Sequence, residues 1–424
     1  MIPVLLERDD ALPLVHVSVA FRLGSIADPP GKEGLTSLTL RLMRRTGGGR
    51  DPRAQDERID SLGAALWVDA GQSTAGAHGS VISRSLPAFL AVMREVIAEP
   101  GFDPGELERL RREAESELTE VLDSDRSLAR RWFARRLFAG HPYGRPTGGT
   151  RASLAAITLD DIHARYRELV VASNITLAFA GDIELATARA FADELARALP
   201  AGPALHDPTE DPTQRPGIHL SFVDKPERTQ TQILIGCLGT HPLDPDHLAL
   251  SVANTVFGGT FTSRLTQEVR AKRGWSYGAY SSLAVDRRRR SFSMWTFPKL
   301  EDALSCIQLE LDLLRAWVKE GPTEEELEST KSYLARSHAF STDSAAKRVS
   351  QQLDAALYDL PASYYSEYTA KVPKVTLAEA RASLARLTPD KLRITVVGTA
   401  SSLLDQLEAG LPLDSSERIP FDAD

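Results

Sequence analysis

The sequence predicts an α+β protein made of two homologous domains, each a mixed β-sheet packed against a layer of helices. Three observations carry this expectation. The chain has 424 residues, more than one ordinary core accommodates. A proline-rich strap runs through its middle, and similar strand-like and helix-like segments recur on either side in the same order. The strap, LPAGPALHDPTEDPTQRPG from Leu199 to Gly217, holds five prolines and no periodic apolar pattern, so it reads as an extended linker. The expected boundaries are 1–198 for the first domain, 199–217 for the linker, 218–412 for the second domain and 413–424 for a polar, frayed tail.

Each half opens on a β-rich run, LVHVSVAFRLGS in the first and TQTQILIGCLGT in the second, whose alternating apolar residues suit half-buried strands. A short helix pair and two further strands follow: AALWVDAG and AGAHGSVIS, then SYGAYSSLAV and RSFSMWTF. Both halves next turn helical, FDPGELERLRREAESELTEV corresponding to GPTEEELESTKSYLARS. Asp103 and Thr323 stand at the N-cap positions, with acidic first turns. A strand, NITLAFAGD or LRITVVGTA, and a final helix close each half.

Composition narrows the function classes. Hydrophobic residues make up 42% and charged residues 25%, an ordinary globular profile, and a net charge of −8 disfavours a nucleic-acid partner. Cys237 and Cys306 lack CxxC spacing and sit in apolar runs, so they read as core residues. MIPVLLERDDALP has neither the basic region nor the apolar run of a signal peptide, and no stretch is long enough to span a bilayer. The expectation is a cytoplasmic protein without a membrane partner. HPYGRPTGGT, from His141, reads as a structural loop. The run Arg287 to Arg290 reads as a charged hairpin tip, and Arg130, Arg131, Arg135 and Arg136 as the solvated side of a helix with Trp132 and Phe133 turned partly inward.

The most specific stretch is FGGTFTSRLTQEVRAKRGWSYGAY, Phe257 to Tyr280. Its periodicity predicts a short helix from Phe261 to Arg270, with Phe261, Leu265 and Val269 on the inward face. Gly258 and Gly259 allow close backbone approach, Gly274 stops the helix, and a strand is expected from about Ser276. Arg270 then lies at the helix exit and Tyr277 at the strand entry. This segment resembles the C-terminal-half signature of the pitrilysin (insulinase) family of zinc peptidases, which includes mitochondrial processing peptidase. The resemblance implies a processing-peptidase-like duplication, with Arg270 and Tyr277 binding substrate near the scissile carbonyl. There a guanidinium and a phenol are suitable donors to a developing oxyanion.

That family binds zinc through H-x-x-E-H on a helix early in the first half, with a third ligand, a Glu, well downstream. The lead-in GSIADPPGKEGL is similar to the family's, but TSLTLRLM follows it. Ser37 stands at the first His position, Leu40 at the Glu and Arg41 at the second His, while Glu117 is the candidate remnant of the downstream carboxylate. Serine is a poor zinc ligand, leucine is no base, and arginine brings a fixed positive charge. The nine His are scattered, and His241 and His247 read as solvated or core residues. The expectation is that Arg41 pairs with Glu117 or Glu113 in place of a metal.

The resemblance therefore implies a non-catalytic subunit of a heterodimeric zinc metallopeptidase. A homologous H-x-x-E-H partner would supply zinc, water and general base, and this chain would supply Arg270 and Tyr277 in trans to the peptide substrate. An extended peptide can add to an exposed sheet edge. The alternative implied by the same resemblance is a structural subunit, as in respiratory-complex cores, without any proteolytic role. No GxSxG, P-loop or GxGxxG supports an unrelated enzyme.

Overall fold

The structure is a computed structural model that describes residues 1–203 and 205–424; Ala204, within the expected linker, lies outside the described residues. Two units are present. One comprises Met1–Leu118, Arg145–Thr209 and Ala339–Tyr365, the other Thr119–Gly144, Glu210–His338 and Ser366–Asp424. The units therefore differ from the two halves of the sequence: each includes a segment from the other half.

The first unit is organised on a five-stranded sheet, in the order β1-β5-β2-β4-β3. Its strands are β1 (Val4–Arg8), β2 (Leu14–Phe21), β3 (Ala65–Ala70), β4 (Ala75–Ile82) and β5 (Ile175–Gly181). Only the β1–β5 pair is parallel. Period-two alternation along β2 sends Val15, Val17 and Val19 to one face, where they are at most 1% exposed. On that side the Phe89 ring of helix Leu86–Ala98 lies over Gly79, where any β-carbon would collide with it. The opposite face carries His16, Ser18 and Ala20. There Ala20, Ala178 and Ala180 pack against Val349, Leu353 and Leu357 of helix Ala345–Leu357. The small alanines let that helix approach closely.

The second unit repeats the plan. Its sheet runs β11-β6-β10-β7-β9-β8, built from β6 (His219–Asp224), β7 (Gln232–Leu238), β8 (Ala279–Leu283), β9 (Ser291–Thr296), β10 (Arg393–Gly398) and β11 (Ser415–Pro420). The parallel pair β6–β10 followed by antiparallel β7, β9 and β8 reproduces β1–β5 followed by β2, β4 and β3. The expected duplication of an α+β plan is thus present strand for strand. Helix Asp125–Leu137 lies on this sheet, with Phe133 over Gly236. Trp132 and Phe133 are fully rather than partly buried, 3% and 5% exposed.

Several local expectations change. The tail expected to fray instead forms β11, parallel to β6. Ile419 is buried, and Arg418 and Glu417 pair with Asp224 and Arg136. The Arg287–Arg290 run is no solvated tip: Arg287 is 4% exposed and Arg289 pairs with Asp211 and Asp244. Arg290 lies over the rings of Phe138 and Tyr143. These partners lie far away in sequence, so the charge run alone does not show them. The expected caps are in place. The Asp103 carboxylate accepts from the Glu106 N–H at 2.7 Å, and Thr323 and Glu326 form a capping box.

Both cysteines are buried. Cys306 sits beside Glu310, a carboxyl with no exposed surface that accepts from the Thr296 hydroxyl at 3.1 Å. Burial pushes Glu310 up to about 8, so it is held as the neutral acid. Among the described residues no helix is long and apolar enough to cross a membrane.

Candidate functional site

In the second unit the segment around Arg270 begins with a close approach. A β-carbon on Gly258 would meet the Ser281 hydroxyl at 2.4 Å and its amide nitrogen at 2.5 Å, so only glycine lets this turn lie against β8. The helix starts later than its periodicity suggests, at Arg264, and continues as a π-helical turn, Gln267–Ala271. Leu265 and Val269 are fully buried and anchor it. Phe261, expected on the same inward face, lies in the preceding turn and is 58% exposed. Gly274, at φ +68°, ends the segment, and its N–H donates to the Arg270 carbonyl at 3.0 Å. Tyr277 precedes β8, which begins at Ala279 rather than near Ser276, and is 75% exposed.

The result is an aromatic bracket. The Arg270 guanidinium carbon lies 4.0 Å from the Phe261 ring centroid and 4.4 Å from that of Tyr277. Its Nη1 is shielded from solvent, with no hydrogen-bond partner among the described residues. The nearest acidic residue in sequence, Glu268, is engaged by Lys272 and Arg273 at 2.5 and 2.7 Å, and those cations hold its carboxyl below its ordinary range. Arg270 is therefore a cation held in place by aromatic faces instead of a carboxylate. Its Nη1 carries hydrogen-bonding capacity that no acceptor among the described residues uses. Helical π turns are frequent at functional sites because they break the regular ladder and re-aim side chains. Beside it runs β8, an edge strand of its sheet.

In the first unit the lead-in to helix Leu35–Arg45 is a structural device. Asp28, 2% exposed, accepts from the N–H groups of Gly34 and Thr36 at 3.1 and 3.0 Å and from the Thr36 hydroxyl at 2.5 Å. It caps the helix from outside, because Gly34 at the N-cap has no side chain to do so. Burial raises the Asp28 carboxyl despite those bonds and the nearby Arg165. Arg145, from the loop expected to be structural, donates to the carbonyls of Asp28 and Ile26 at 2.6 and 2.9 Å.

On this helix Ser37 is half-buried and Leu40 is 1% exposed, part of the core. Arg41 grips Glu117 in bidentate fashion, Nη1 to Oε2 at 3.0 Å and Nη2 to Oε1 at 2.8 Å, and also donates to Glu113 at 3.2 Å. The expected pairing is thus present, with both carboxylates engaged. The network continues from Glu113 through Arg109 and Glu106 to Arg45, Asp56 and Arg44. Burial works against ionised Glu106 and Asp56, but their paired arginines outweigh it and hold both carboxyls low. Glu106, Arg109, Glu113 and Glu117 follow at intervals of three and four, so one helix face presents them all. That spacing is legible in the sequence for all four residues.

The donor set does not fit zinc. Ser37 offers only a hydroxyl, Leu40 is part of the core, and the Arg41 guanidinium is already bonded to Glu117 and Glu113. Among the described residues no group of three or more His, Cys, Asp or Glu could hold a metal ion. His247 is buried against the Thr240 hydroxyl at 2.8 Å, and burial lowers its pKa; His241 meets the Arg287 carbonyl at 2.8 Å.

Comparison with known proteins shows the family. Residues 3–151 match the family model described as insulinase (peptidase family M16), and residues 156–334 match the one described as peptidase M16 inactive domain. A Helicobacter pylori protein named as a non-peptidase homolog is 20% identical, over 89% of this chain and 87% of that protein. An uncharacterized zinc protease of Mycobacterium tuberculosis is 24% identical, over 94% of this chain and 92% of that protein. The crystal structure of a peptidase M16 inactive domain from Pseudomonas fluorescens superposes with a TM-score of 0.87 at 28% identity, covering 97% of both chains. Matched in both halves and sharing this fold from end to end, the chain belongs to the M16 (insulinase) peptidase family, as an inactive-type member.

Proposed function

We propose that this chain is the substrate-binding, non-catalytic subunit of a heterodimeric zinc metallopeptidase. The observation that carries the reading is Arg270: a guanidinium bracketed by exposed Phe261 and Tyr277, with an unpartnered Nη1, next to an edge strand. A merely structural arginine is ordinarily paired. In this reading an extended peptide adds to a sheet edge, and Arg270 and Tyr277 donate to the oxygen that gains charge as the peptide bond is attacked. A homologous H-x-x-E-H partner holds zinc and the general base. Arg41, bonded to Glu117 and Glu113, occupies the seat where this chain would otherwise need a metal.

The test mixes this chain with a homologous H-x-x-E-H subunit and follows hydrolysis of a quenched fluorescent peptide, with and without a zinc chelator. Arg270→Ala and Tyr277→Phe are each expected to lower kcat by about 10²- to 10³-fold while complex formation on a sizing column is unchanged. Wild-type rates in both variants would dismiss the role in trans. They would favour the second reading, a purely structural subunit, which the similarity to a protein named as a non-peptidase homolog supports.

A further inference from the structure

A polar constellation outside the features above stands on the first unit's sheet. Ser18 on β2 lies directly opposite His78 on β4, and Trp67 on β3 lies opposite His78 from the other side. All three point to one face, as does Asp69, two residues along from Trp67. The Ser18 Oγ is 3.0 Å from His78 Nδ1, and His78 Nε2 is 2.6 Å from the Asp69 carboxylate. In the neutral tautomer that places the imidazole proton on Nε2, toward the Asp69 carboxylate, Nδ1 presents its lone pair to the Ser18 hydroxyl. The backbone is shaped for this. A β-carbon on Gly76 would fall 2.5 Å from His78 Nε2, so the ring reaches Asp69 only because residue 76 is glycine. Trp67 stacks along the imidazole at 5.9 Å between centroids.

These groups open into a cavity of about 400 Å³ between the sheet and helix Ala345–Leu357, within the range of small-molecule sites. Val349, Leu353 and Leu357 form its apolar wall, and among the described residues no Lys or Arg lines it. Asp354 lines it too; burial lifts its carboxyl to about 6, leaving it ionised at pH 8. Two carboxylates without a cation disfavour anionic ligands.

We propose that Ser18, His78 and Asp69 form a nucleophilic triad that hydrolyses neutral, short-chain carboxylic esters, an activity of this chain alone, independent of zinc and of any partner. Ser18 Oγ attacks the ester carbonyl carbon while its proton passes to His78 Nδ1. The bond to the leaving oxygen breaks, and His78 returns the proton to it, releasing the alcohol. Water, deprotonated by His78, then attacks the acyl-serine, freeing the carboxylic acid and restoring Ser18. Asp69 holds the tautomer and stabilises the imidazolium. Ser350 and Trp67 are among the residues that line the cavity, and each carries a hydrogen-bond donor that this mechanism assigns to the oxyanion.

The experiment uses the purified full chain without partner, in chelator, at pH 8. A fluorophosphonate probe is expected to modify Ser18, located by peptide mass spectrometry, and p-nitrophenyl acetate to be turned over. Ser18→Ala, purified identically and with an unchanged circular dichroism spectrum, is expected to lose both by 100-fold or more. Asp69→Asn, which keeps the shape but reverses the tautomer, is expected to lower kcat by about 10²- to 10⁴-fold. No adduct on Ser18, or ester turnover undiminished in Ser18→Ala, would overturn the proposal. Neither result bears on Arg270 and Tyr277, which the peptide assay tests separately.

Discussion

Replacing Glu310 with glutamine isolates one buried ionisation from every other titration in the chain. Glu310 has no exposed surface; Oε2 accepts from the Thr296 hydroxyl at 3.1 Å, and Oε1 has no partner among the described residues. Burial raises its pKa from an ordinary 4.5 to about 8. At about 1.4 kcal/mol per pH unit, that rise corresponds to roughly 5 kcal/mol between the two protonation states. Relaxation and water entry around a buried charge bring the measurable effect down to about 2–4 kcal/mol. The direction follows from proton counting. Between pH 4.5 and 8 the folded protein holds a proton that the unfolded chain has released, so stability is full below 4.5, falls through this window and levels off above it. Glutamine mimics the protonated acid and does not titrate. Urea unfolding from pH 5 to pH 9, followed by the fluorescence of tryptophans including the buried Trp317, should show the wild type losing about 2–4 kcal/mol relative to Glu310→Gln. Parallel pH–stability curves for the two proteins would refute the reasoning.

Other substitutions probe separate contacts. Lys225, 5% exposed, donates to the carbonyls of Leu122 and Asp123 at 2.7 and 3.1 Å and to Asp125 at 2.6 Å. Lys225→Met strands those acceptors and should cost about 3 kcal/mol in urea unfolding. The Arg41–Glu117 pair is bidentate, but the Glu117 side chain is 59% exposed, so a double-mutant cycle with Arg41→Ala and Glu117→Ala should give a coupling of only about 0.5–1 kcal/mol, weakened by salt. Gly258→Ala drives a methyl into the Ser281 backbone and should destabilise by about 1–3 kcal/mol, with faster amide exchange in β8. Asp28→Ala removes the acceptor that caps helix Leu35–Arg45 and should lower stability by about 1–2 kcal/mol.

What could be read in advance followed from local pattern. Repeated strand and helix segments announced the duplication, because period-two runs such as ITLAFAG and RITVVG need no distant information. The pairing of Arg41 with Glu117 or Glu113 is expected from the family resemblance, and bonds to both are present. Features that depend on distant partners stayed hidden. Within SSERIP only Ile419 is buried, so β11 carries almost no hydrophobic signature and exists through its pairing with β6. Phe261 fits a helical period, yet the helix starts three residues later and the ring stacks on Arg270 instead. Ser18, His78 and Asp69 stand on three strands, and only register brings them together.

The interleaving of the units has a consequence for synthesis. Residues 1–118 and 145–209 leave a ribosome early, but the helix that covers Ala20, Ala178 and Ala180 begins at Ala345. Until it emerges, that face of the first sheet stays bare, so the N-terminal half cannot finish folding in the domain-by-domain order usual for long chains. Nearly the whole polypeptide must be made before its first strands are fully buried. A fragment ending at the linker should accordingly expose apolar sheet surface and aggregate, unless residues 339–365 are supplied as a separate peptide.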